Sequence, residues 1–236
     1  MLNFNEMMGK TSLSIIVPVL SEEDIINDVI DRLRGLDGAS RTEIIVVDCG
    51  PDHRTLETIT SEDVVKVRSP RGRGRQMNEG AGHATGDILL FLHADTELPL
   101  NALSLIENAM QDGQCAAGAF DLAIKSRRTV FRIIEFLASL RSRITRVPFG
   151  DQAIFIRKGY FSAIGGYREM PIMEDIEIMK RIRKRGDRIV ILRDRVATSP
   201  RRWEKEGIVR CTLRNWLIQA LYPLGVPART LARFYK

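Results

Sequence analysis

The sequence predicts an α/β fold, in which a mostly parallel β-sheet is flanked by helices and followed by a C-terminal helical extension. Three observations predict it. Short, continuous apolar runs recur along the chain, and strands of this kind are buried on both faces of a sheet. Amphipathic segments with helical spacing separate these runs, which is the alternation typical of an open α/β sheet. The chain has 236 residues, enough for one domain with an appended arm.

The first hundred residues contain most of the predicted sheet. Apolar runs predict strands over 13–20, 43–48, 64–68 and 87–93. Helical patterns lie between them, over 22–36, 53–60 and 75–84. Ser21 is the expected N-cap of the first helix. Because ligands of such sheets bind beyond the carboxyl ends of the strands, the residues that follow each strand are the first candidates for a site.

The alternation is less regular after Pro99. Further strands are predicted over 115–124, 149–156 and 188–192, and further helices over 101–110, 129–144 and 174–185. The last residues hold two basic helical patterns, split at 223–227. We therefore expect one domain over 1–205 and a basic, amphipathic helical tail over 206–236.

Composition and charge exclude several classes of protein. Hydrophobic residues make up 44% of the chain and charged residues 28%, which are the values of a globular domain and not of a disordered chain. The formal net charge is +6, but it is concentrated in two segments. Residues 125–146 carry seven bases and one acid, and residues 201–236 carry eight bases and two acids. Since the rest of the domain has no positive excess, we expect no nucleic-acid partner.

The sequence shows no signal for export or membrane insertion. The first ten residues lack the pattern of a signal peptide, and no run approaches the about 20 apolar residues of a spanning helix. Cys49, Cys115 and Cys211 are far apart and form no CxxC pair. This favours a reducing compartment over a disulfide framework or a zinc site. We expect a cytoplasmic protein.

Polar residues follow two of the early strands. Asp48 ends the second strand, where a carboxylate can accept a hydrogen bond from a nucleobase imide or a ribose hydroxyl. Turn chemistry is the commoner reason for a single such residue. After the third strand, Arg71, Arg73 and Arg75 alternate with glycines before a helix, a pattern that suits a diphosphate. A solvated basic loop is the alternative.

Two further pairs of residues carry possible chemistry. His93 and Asp95 follow the fourth strand, and an extended segment points positions two apart the same way, so they can share a divalent ion. Glu174 and Asp175 open a helix. The helix dipole alone favours acids there by about 0.3–1 kcal/mol, so their role stays open between helix stabilisation and catalysis.

Taken together, five motifs over about residues 12–203 resemble the family 2 glycosyltransferases. They occur in the family's order: SIIVPVLSEE at the first strand, IIVVDCG at the second, GDILLFLHAD in place of the Asp-x-Asp strand, MEDIEIMKRIRKRG in place of the catalytic-base segment, and TSPRRW in place of an Arg-Trp motif. The loop PRGRGRQMN, the LHAD ending, FGDQA and the basic tail are similar to a finer subgroup. That subgroup is associated with radical-SAM and selenoprotein-type neighbours and implicated in arsenosugar biosynthesis.

The resemblance implies a GT-A fold with a nucleotide-binding half over about 12–98 and an acceptor half over about 99–205. It implies inverting transfer of a sugar from a nucleoside-diphosphate sugar, expected to be UDP-linked, to an acceptor hydroxyl. Asp175, with Glu174 beside it, is the implied catalytic base. The residues implied to bind the donor are Pro18, Glu22, Asp48, Arg71, Arg75, Asn78, Ala94 and Arg202. Those expected on the acceptor side are Asp151, Gln152 and Trp203, although a turn role fits the first two equally.

Two departures from the family pattern affect these expectations. His93 replaces the first Asp of Asp-x-Asp, so Mn²⁺ or Mg²⁺ would rest on Asp95, with His93 as a second ligand or a hydrogen-bond donor. The usual Ser-x-Asp is altered around Pro51, so we assign no nucleoside role to Asp52.

Two other classes of function compete with this interpretation. A sugar-nucleotide pyrophosphorylase would use similar residues, but its Gly-rich loop would follow the first strand and here it follows the third. A non-enzymatic adaptor for anionic membrane or nucleic acid would use 125–146 and 201–236, and would leave the acids and His93 unexplained. We expect a nucleotide-sugar and a small or lipid-linked acceptor as partners. The tail is expected to rest on the inner face of a membrane, to pack on the domain, or to form a homodimer.

Overall fold

The computed structural model describes residues 12–235. The N-terminal segment in which no signal peptide is predicted lies outside the described residues. Eight strands form one sheet: β1 Leu13–Val19, β2 Thr42–Asp48, β3 Val65–Arg68, β4 Ile88–Phe91, β5 Thr96–Glu97, β6 Cys115–Ile124, β7 Ile154–Arg157 and β8 Arg188–Thr198. The helices are α1 Ile26–Arg34, α2 Arg54–Thr58, α3 Arg73–His83, α4 Ala102–Gln111, α5 Thr129–Thr145, α6 Lys158–Ala163, α7 Glu174–Lys184, α8 Arg201–Glu206, α9 Ile208–Leu221 and α10 Ala228–Leu231.

The strand order is β3-β2-β1-β4-β7-β6-β8-β5. The pairs β3–β2, β2–β1, β1–β4 and β6–β8 are parallel, while β7 runs antiparallel to both of its neighbours. The short β5 closes the edge antiparallel to β8. The predicted fold, a mostly parallel sheet with flanking helices, is therefore confirmed.

The continuous apolar strands are buried because helices cover both faces of the sheet. Along β1, Ile15 and Val17 face a core cluster that includes the apolar sides of α1 and α4. Ile16 faces the opposite cluster, which includes α3 and α7. This alternation follows from the two-residue period of a strand.

Several boundaries differ from the sequence-based expectations. Helix α1 begins only at Ile26, and Ser21 has a left-handed backbone with φ 54°. The predicted N-cap role of Ser21 is therefore wrong. The strand predicted over 149–156 starts at Ile154 because Gly150–Gln152 form a 3₁₀ turn. The strand predicted over 188–192 continues to Thr198, where it pairs with β5.

Helix α5 packs on β6 with its polar side. The Leu122 N–H donates to Ser139 Oγ at 3.2 Å, and the Ile124 N–H donates to Glu135 Oε1 at 2.6 Å. The apolar positions that predict this helix, among them Ile133 and Ile144, face solvent instead. The sequence therefore predicts the helix correctly, while its orientation differs from that of an ordinary core helix.

The C-terminal helices pack against the domain. Trp203 meets Phe131 edge to face with ring centroids 5.7 Å apart, and Arg141 Nη1 donates to Gln219 Oε1 at 3.0 Å. Across residues 12–235, no helix combines the length and apolarity required to cross a bilayer.

Candidate active site

The carboxyl ends of β1, β2 and β4 lie side by side and form the floor of the site. Gln76 of α3 joins two of these ends, because its Nε2 donates to the carbonyl oxygens of Val19 and Val47, each at 2.8 Å. Gly80 on the same helix has no room for a side chain, since a Cβ there would lie 2.5 Å from Ile16 Cγ2. Helix α3 is thus held tightly against the first two strands, by Gln76 at their ends and by Gly80 further back.

A cleft of about 450 Å³ opens beside the end of β2. Asp48 lies on its wall and accepts a 2.7 Å hydrogen bond from the Gly50 N–H at Oδ1. Its Oδ2 is buried and has no hydrogen-bond partner, and the same is true of His53 Nδ1 on the same cleft. Because buried polar atoms in proteins are normally paired, these two atoms mark a place for a polar ligand.

His93 and Asp95 follow β4, whose carboxyl end lies at the same edge of the sheet as the cleft. Burial, and then the charges of Arg73 and Arg202, lower the pKa of His93 from 6.5 to about 3. The imidazole is therefore neutral at physiological pH and retains a lone pair. A backbone hydrogen bond of 3.1 Å from the Ser199 N–H to the Asp95 carbonyl ties this segment to the end of β8.

Glu174 and Asp175 open α7 after Met173, whose φ of 72° turns the chain sharply. Asp175 Oδ2 accepts a 2.6 Å hydrogen bond from the Gly150 N–H, which brings it next to the 3₁₀ turn. Glu174 is buried, and burial together with the neighbouring Asp175 raises its pKa to about 7. Arg73 Nη1 lies 3.8 Å from Glu174 Oε1.

Asp151, on the same 3₁₀ turn, completes an acidic group with Asp95 and Asp175. Burial raises the pKa of Asp151 to about 6; the charges of Asp175 and Asp95 add to this effect, and Arg141 opposes it. The electrostatic coupling indicates that these acids share one small region. The fold thus brings together acids that lie up to 80 positions apart in the sequence.

The donor set at the end of β4 suits a divalent cation that a diphosphate helps to bind. Over residues 12–235, no group of three His, Cys, Asp or Glu side chains forms a complete metal site. Asp95 offers a carboxylate and His93 a neutral imidazole, and both are ligands of Mn²⁺ and related ions. Mg²⁺ in particular is commonly held by one or two carboxylates together with substrate phosphates. The residues present fit an ion of this kind.

The family model for glycosyl transferase family 2 matches residues 14–169, more than half of the chain. The chain belongs to glycosyl transferase family 2. Over 205 residues it is 26% identical to poly-β-1,6-N-acetyl-D-glucosamine synthase of Staphylococcus aureus, a match that covers 80% of this chain and 49% of that protein. The chain spans about half the length of the curated relatives it matches.

The fold is similar to that of the mannosyltransferase PcManGT from Pyrobaculum calidifontis, solved in complex with GDP-Man and Mn²⁺. The TM-score is 0.66 at 21% sequence identity, and the match covers 94% of this chain and 66% of that one. The GT-A fold implied by the sequence is thereby confirmed. Membership of the family confirms the predicted class, glycosyltransferase.

Three residues that the resemblance places in the substrate site, Gln152, Asn78 and Trp203, bond to other parts of the protein in the structure. Gln152 is fully buried: its Oε1 accepts from Ser142 Oγ at 2.6 Å and its Nε2 donates to the Phe120 carbonyl at 2.8 Å. Asn78 is bonded at both ends of its amide to the backbone of Tyr167. Trp203 Nε1 donates to Thr212 Oγ1 at 3.2 Å. These side chains hold the turn, the 164–173 loop and the tail, and their places beside the donor and the acceptor stay predictions.

The contacts of four further residues neither support nor exclude a role in donor binding, which stays a prediction for Glu22, Arg71, Arg75 and Arg202. Arg75 Nη2 pairs with Glu169 Oε2 at 2.5 Å. Arg71 is exposed on the loop. Arg201, the first residue of α8, reaches Glu22 Oε1 at 3.1 Å, and the next residue, Arg202, pairs with Glu206 at 3.4 Å and acts electrostatically on His93.

Pro18 and Ala94 belong to the strand ends and not to the exposed surface. Pro18 lies opposite Val47 in the β1–β2 register. Ala94 is buried in a core cluster, so only its backbone can meet a ligand.

Sequence reasoning assigns no role to three residues of the site: Gly150, His53 and Arg141. It names Arg73 with the other arginines of the loop but does not prefer it; α3 begins at this residue, and the next Arg, two positions on, points to another side of the helix. Gly150 lies in a predicted strand. His53 reaches the cleft from the loop after β2, and Arg141 reaches the site through tertiary packing.

Proposed function

We propose that this chain is an inverting glycosyltransferase that moves a sugar from a nucleoside-diphosphate sugar, UDP-linked, to an acceptor hydroxyl. The observation that carries the proposal is the pair of unpartnered buried atoms, Asp48 Oδ2 and His53 Nδ1, in a cleft beside the neutral His93 and the carboxylate of Asp95. A nucleobase imide can donate to the first atom. Family membership supports the same chemistry.

The nucleotide occupies the ends of β1, β2 and β4 in this proposal. Asp48 accepts from the base, and the backbone from Pro18 to Glu22 and at Ala94 lies along the nucleoside. The diphosphate then reaches Asp95, His93 and the cations that surround them, Arg73 and Arg202. Arg71 remains a candidate for the same role from the loop.

Asp95 and His93 would hold Mn²⁺ or Mg²⁺. When bound, such an ion stabilises the negative charge that develops on the leaving diphosphate. The guanidinium groups of Arg73 and Arg202, both about half exposed, contribute to the same stabilisation.

Asp175 removes the proton of the acceptor hydroxyl while the oxygen attacks the anomeric carbon opposite the diphosphate, which inverts that centre. Both oxygens of Asp175 accept backbone hydrogen bonds, Oδ2 from the Gly150 N–H at 2.6 Å and Oδ1 from the Ile176 N–H at 2.7 Å. These bonds fix the carboxylate, and the acceptor hydroxyl would meet one of its remaining lone pairs. Asp151 lies on the same turn and is the remaining acceptor-side candidate. Glu174 is buried between Asp175 and Arg73, so its protonation changes the electrostatic environment of both residues.

The domain division, the location and the subgroup are further parts of the proposal. The division into a domain over 1–205 and a tail over 206–236 agrees with the start of α9 after Gly207. A cytoplasmic location agrees with three free cysteines. The PRGRGRQMN loop and the basic tail support the subgroup implicated in arsenosugar biosynthesis.

The experiment is incubation with a panel of UDP-, GDP- and other nucleotide-sugars, scored for release of the nucleoside diphosphate, beside binding of the free diphosphates. Asp48→Asn is expected to weaken UDP binding about tenfold or more, since it leaves an amide where the base requires an acceptor. Asp28→Asn, an exposed acid on α1 that does not line the cleft, is the matched control and is expected to change binding little.

The outcomes separate the competing functions. Release of GDP alone would show that the site binds guanine and not uracil, and would leave the assignment as a glycosyltransferase unchanged. Formation of a nucleotide-sugar from a nucleoside triphosphate and a sugar phosphate would assign the pyrophosphorylase instead. Addition of Mn²⁺ is expected to tighten UDP binding in the wild type and not in Asp95→Asn, and equal effects in both would remove the metal from this site.

A further inference from the structure

Large apolar side chains are exposed in two regions of the chain. Among the described residues, twelve of the fourteen large exposed hydrophobics lie on α5 or in the segment after residue 206. Those on α5 are Val130, Ile133, Phe136, Leu137, Leu140 and Ile144; those after residue 206 are Val209, Leu213, Trp216, Leu217, Leu224 and Phe234. Concentrated exposure of this kind marks an interaction surface.

The apolar residues of α5 form one outward stripe. Five of them repeat at intervals of three and four residues, which places them on one side of a helix. The opposite side carries Glu135 and Ser142, both buried, together with Phe131. The helix therefore turns its polar side to the sheet and its apolar side away from it.

Helix α9 repeats this arrangement. Val209, Leu213, Trp216 and Leu217 are exposed on one side, while Cys211 and Ile218 are buried on the other. The Arg141–Gln219 hydrogen bond joins the two helices. Both apolar stripes are therefore carried by neighbouring elements of the same part of the molecule.

The charge of these two segments identifies the kind of surface they fit. Residues 125–146 and 201–236 each carry a net charge of +6, while the whole chain carries +6, so the remainder carries −6. Helix α5 has one acid, Glu135, which is buried and bonded to the sheet, and α9 has none. A second copy docked on α5 and α9 would bring bases against bases, because neither of these two helices exposes a carboxylate to pair with them.

We propose that the chain binds an anionic lipid surface through the outward apolar stripes of α5 and α9, with the flanking bases in contact with the headgroups. Helices that bear Trp, Phe and Leu on one side and Lys and Arg beside them lie in the interface of a bilayer in this way. The contact is peripheral, and it is independent of the proposed glycosyl transfer.

This surface adjoins the acceptor side of the active site. The last turns of α5 hold the 3₁₀ turn, because Ser142 Oγ and Arg141 Nη2 both donate to Gln152 Oε1. The same turn contains Asp151 and the Gly150 N–H that holds Asp175. If the proposed function is correct, the bound protein therefore presents its catalytic base close to the lipid surface, where a lipid-borne acceptor is available.

The experiment is co-sedimentation of the 236-residue chain with vesicles of equimolar phosphatidylcholine and phosphatidylglycerol, beside vesicles of phosphatidylcholine alone. Binding is expected to the anionic vesicles. It is expected to weaken strongly between about 0.1 M and about 1 M NaCl, because the Debye length falls from about 10 Å to about 3 Å.

Paired variants test the stripes themselves. Phe136→Ser with Ile144→Ser removes two side chains that are 63% and 73% exposed, and is expected to weaken vesicle binding about tenfold or more. Val209→Ser with Leu213→Ser is expected to do the same from α9. Leu100→Ser is the matched control, since Leu100 is 67% exposed but lies outside both segments.

Three results would overturn the proposal: no binding to anionic vesicles, equal binding by the wild type and the α5 variant, or a loss as large in the Leu100 control. A wild-type dimer that becomes a monomer in Phe136→Ser with Ile144→Ser would assign the stripe to a second copy and overturn it as well. Vesicle binding requires no nucleotide, so its failure and a failure of sugar transfer are separate results.

Discussion

The backbone N–H of Gly150 donates a 2.6 Å hydrogen bond to Oδ2 of Asp175, so a turn after α5 orients the carboxylate that opens α7. Gly150 also packs closely between His93 and Asp175. A Cβ at position 150 would lie 3.0 Å from His93 Nε2 and 3.4 Å from Asp175 Oδ2.

Gly150→Ala is expected to lower the rate of sugar transfer by about tenfold, because a shift of this turn displaces the base from its acceptor. UDP affinity should change less than the rate. Gly159→Ala is the matched control, since a Cβ there meets no atom within 4 Å. A normal rate in Gly150→Ala would show that the turn does not position the base.

Asp175→Asn is expected to reduce transfer by about 10²–10⁴-fold, the usual contribution of a general base. The amide oxygen of Asn can replace only one of the two acceptor oxygens that now bind the Gly150 and Ile176 N–H groups, so a small loss of stability is expected while UDP affinity should be retained. Asp28→Asn provides the control, because Asp28 is an exposed acid in the first turn of α1. Single-turnover rates with UDP-sugar measure the effect. A transfer rate that is unchanged in Asp175→Asn would show that another residue is the general base, and Asp151 would be the next candidate.

Glu174→Gln is expected to stabilise the protein at alkaline pH. The pKa of Glu174 is about 7 in the folded chain, above its ordinary 4.5, so the unfolded chain releases this proton at a lower pH than the folded one. The wild type therefore loses stability as the pH rises from about 4.5 to about 7, by an amount of order 3 kcal/mol. The variant lacks this loss.

Thermal unfolding of both proteins at pH 4 and at pH 8 measures this difference. The melting temperatures should be similar at the lower pH, and the variant should melt higher at the upper pH. Glu57→Gln, on the short helix α2, should show no such pH-dependent gain. A variant that is less stable than the wild type at pH 8 would mean that Glu174 is held charged by Arg73.

Gln152→Met is expected to lower the free energy of unfolding by about 2–4 kcal/mol. It leaves the Phe120 carbonyl, the Ser142 hydroxyl and the Phe149 N–H without their buried partner, and each such loss costs about 1–3 kcal/mol before relaxation. Urea denaturation measures it. Gln114→Met, at an exposed position, should change stability by little, and an equally mild effect at position 152 would contradict the structural role.

The sequence was most informative where local pattern and burial coincide. The strands β1, β2 and β4 were predictable because each is a run of apolar residues buried on both faces. The two-residue β5 was not, since it exists only through its pairing with Thr198 and Ala197. The amphipathic pattern of α5 predicted a helix, but only tertiary packing decides which side of that helix meets the sheet.

The site was predictable to the extent that its residues follow strands or open helices. Asp48, His93, Asp95 and Asp175 all do so. Which of the three arginines of the loop lies beside His93 and Glu174 depends on the exact start of α3, and a repeated Arg-Gly pattern does not specify that start. The resemblance places Gln152 beside the acceptor, with a turn role as the alternative, and in the structure its amide bonds to four protein groups that hold the turn.

The pairing of β5 with the end of β8 has a consequence for synthesis of the chain on the ribosome. The segment that carries Asp95 is bonded to residues 197–199, a hundred positions later, and the arginines of α8 follow immediately. Domains generally fold as units during translation, after the required segments have emerged. The diphosphate end proposed for the site, which requires Asp95 and Arg202 together, can therefore be completed only after residue 202 has left the ribosome.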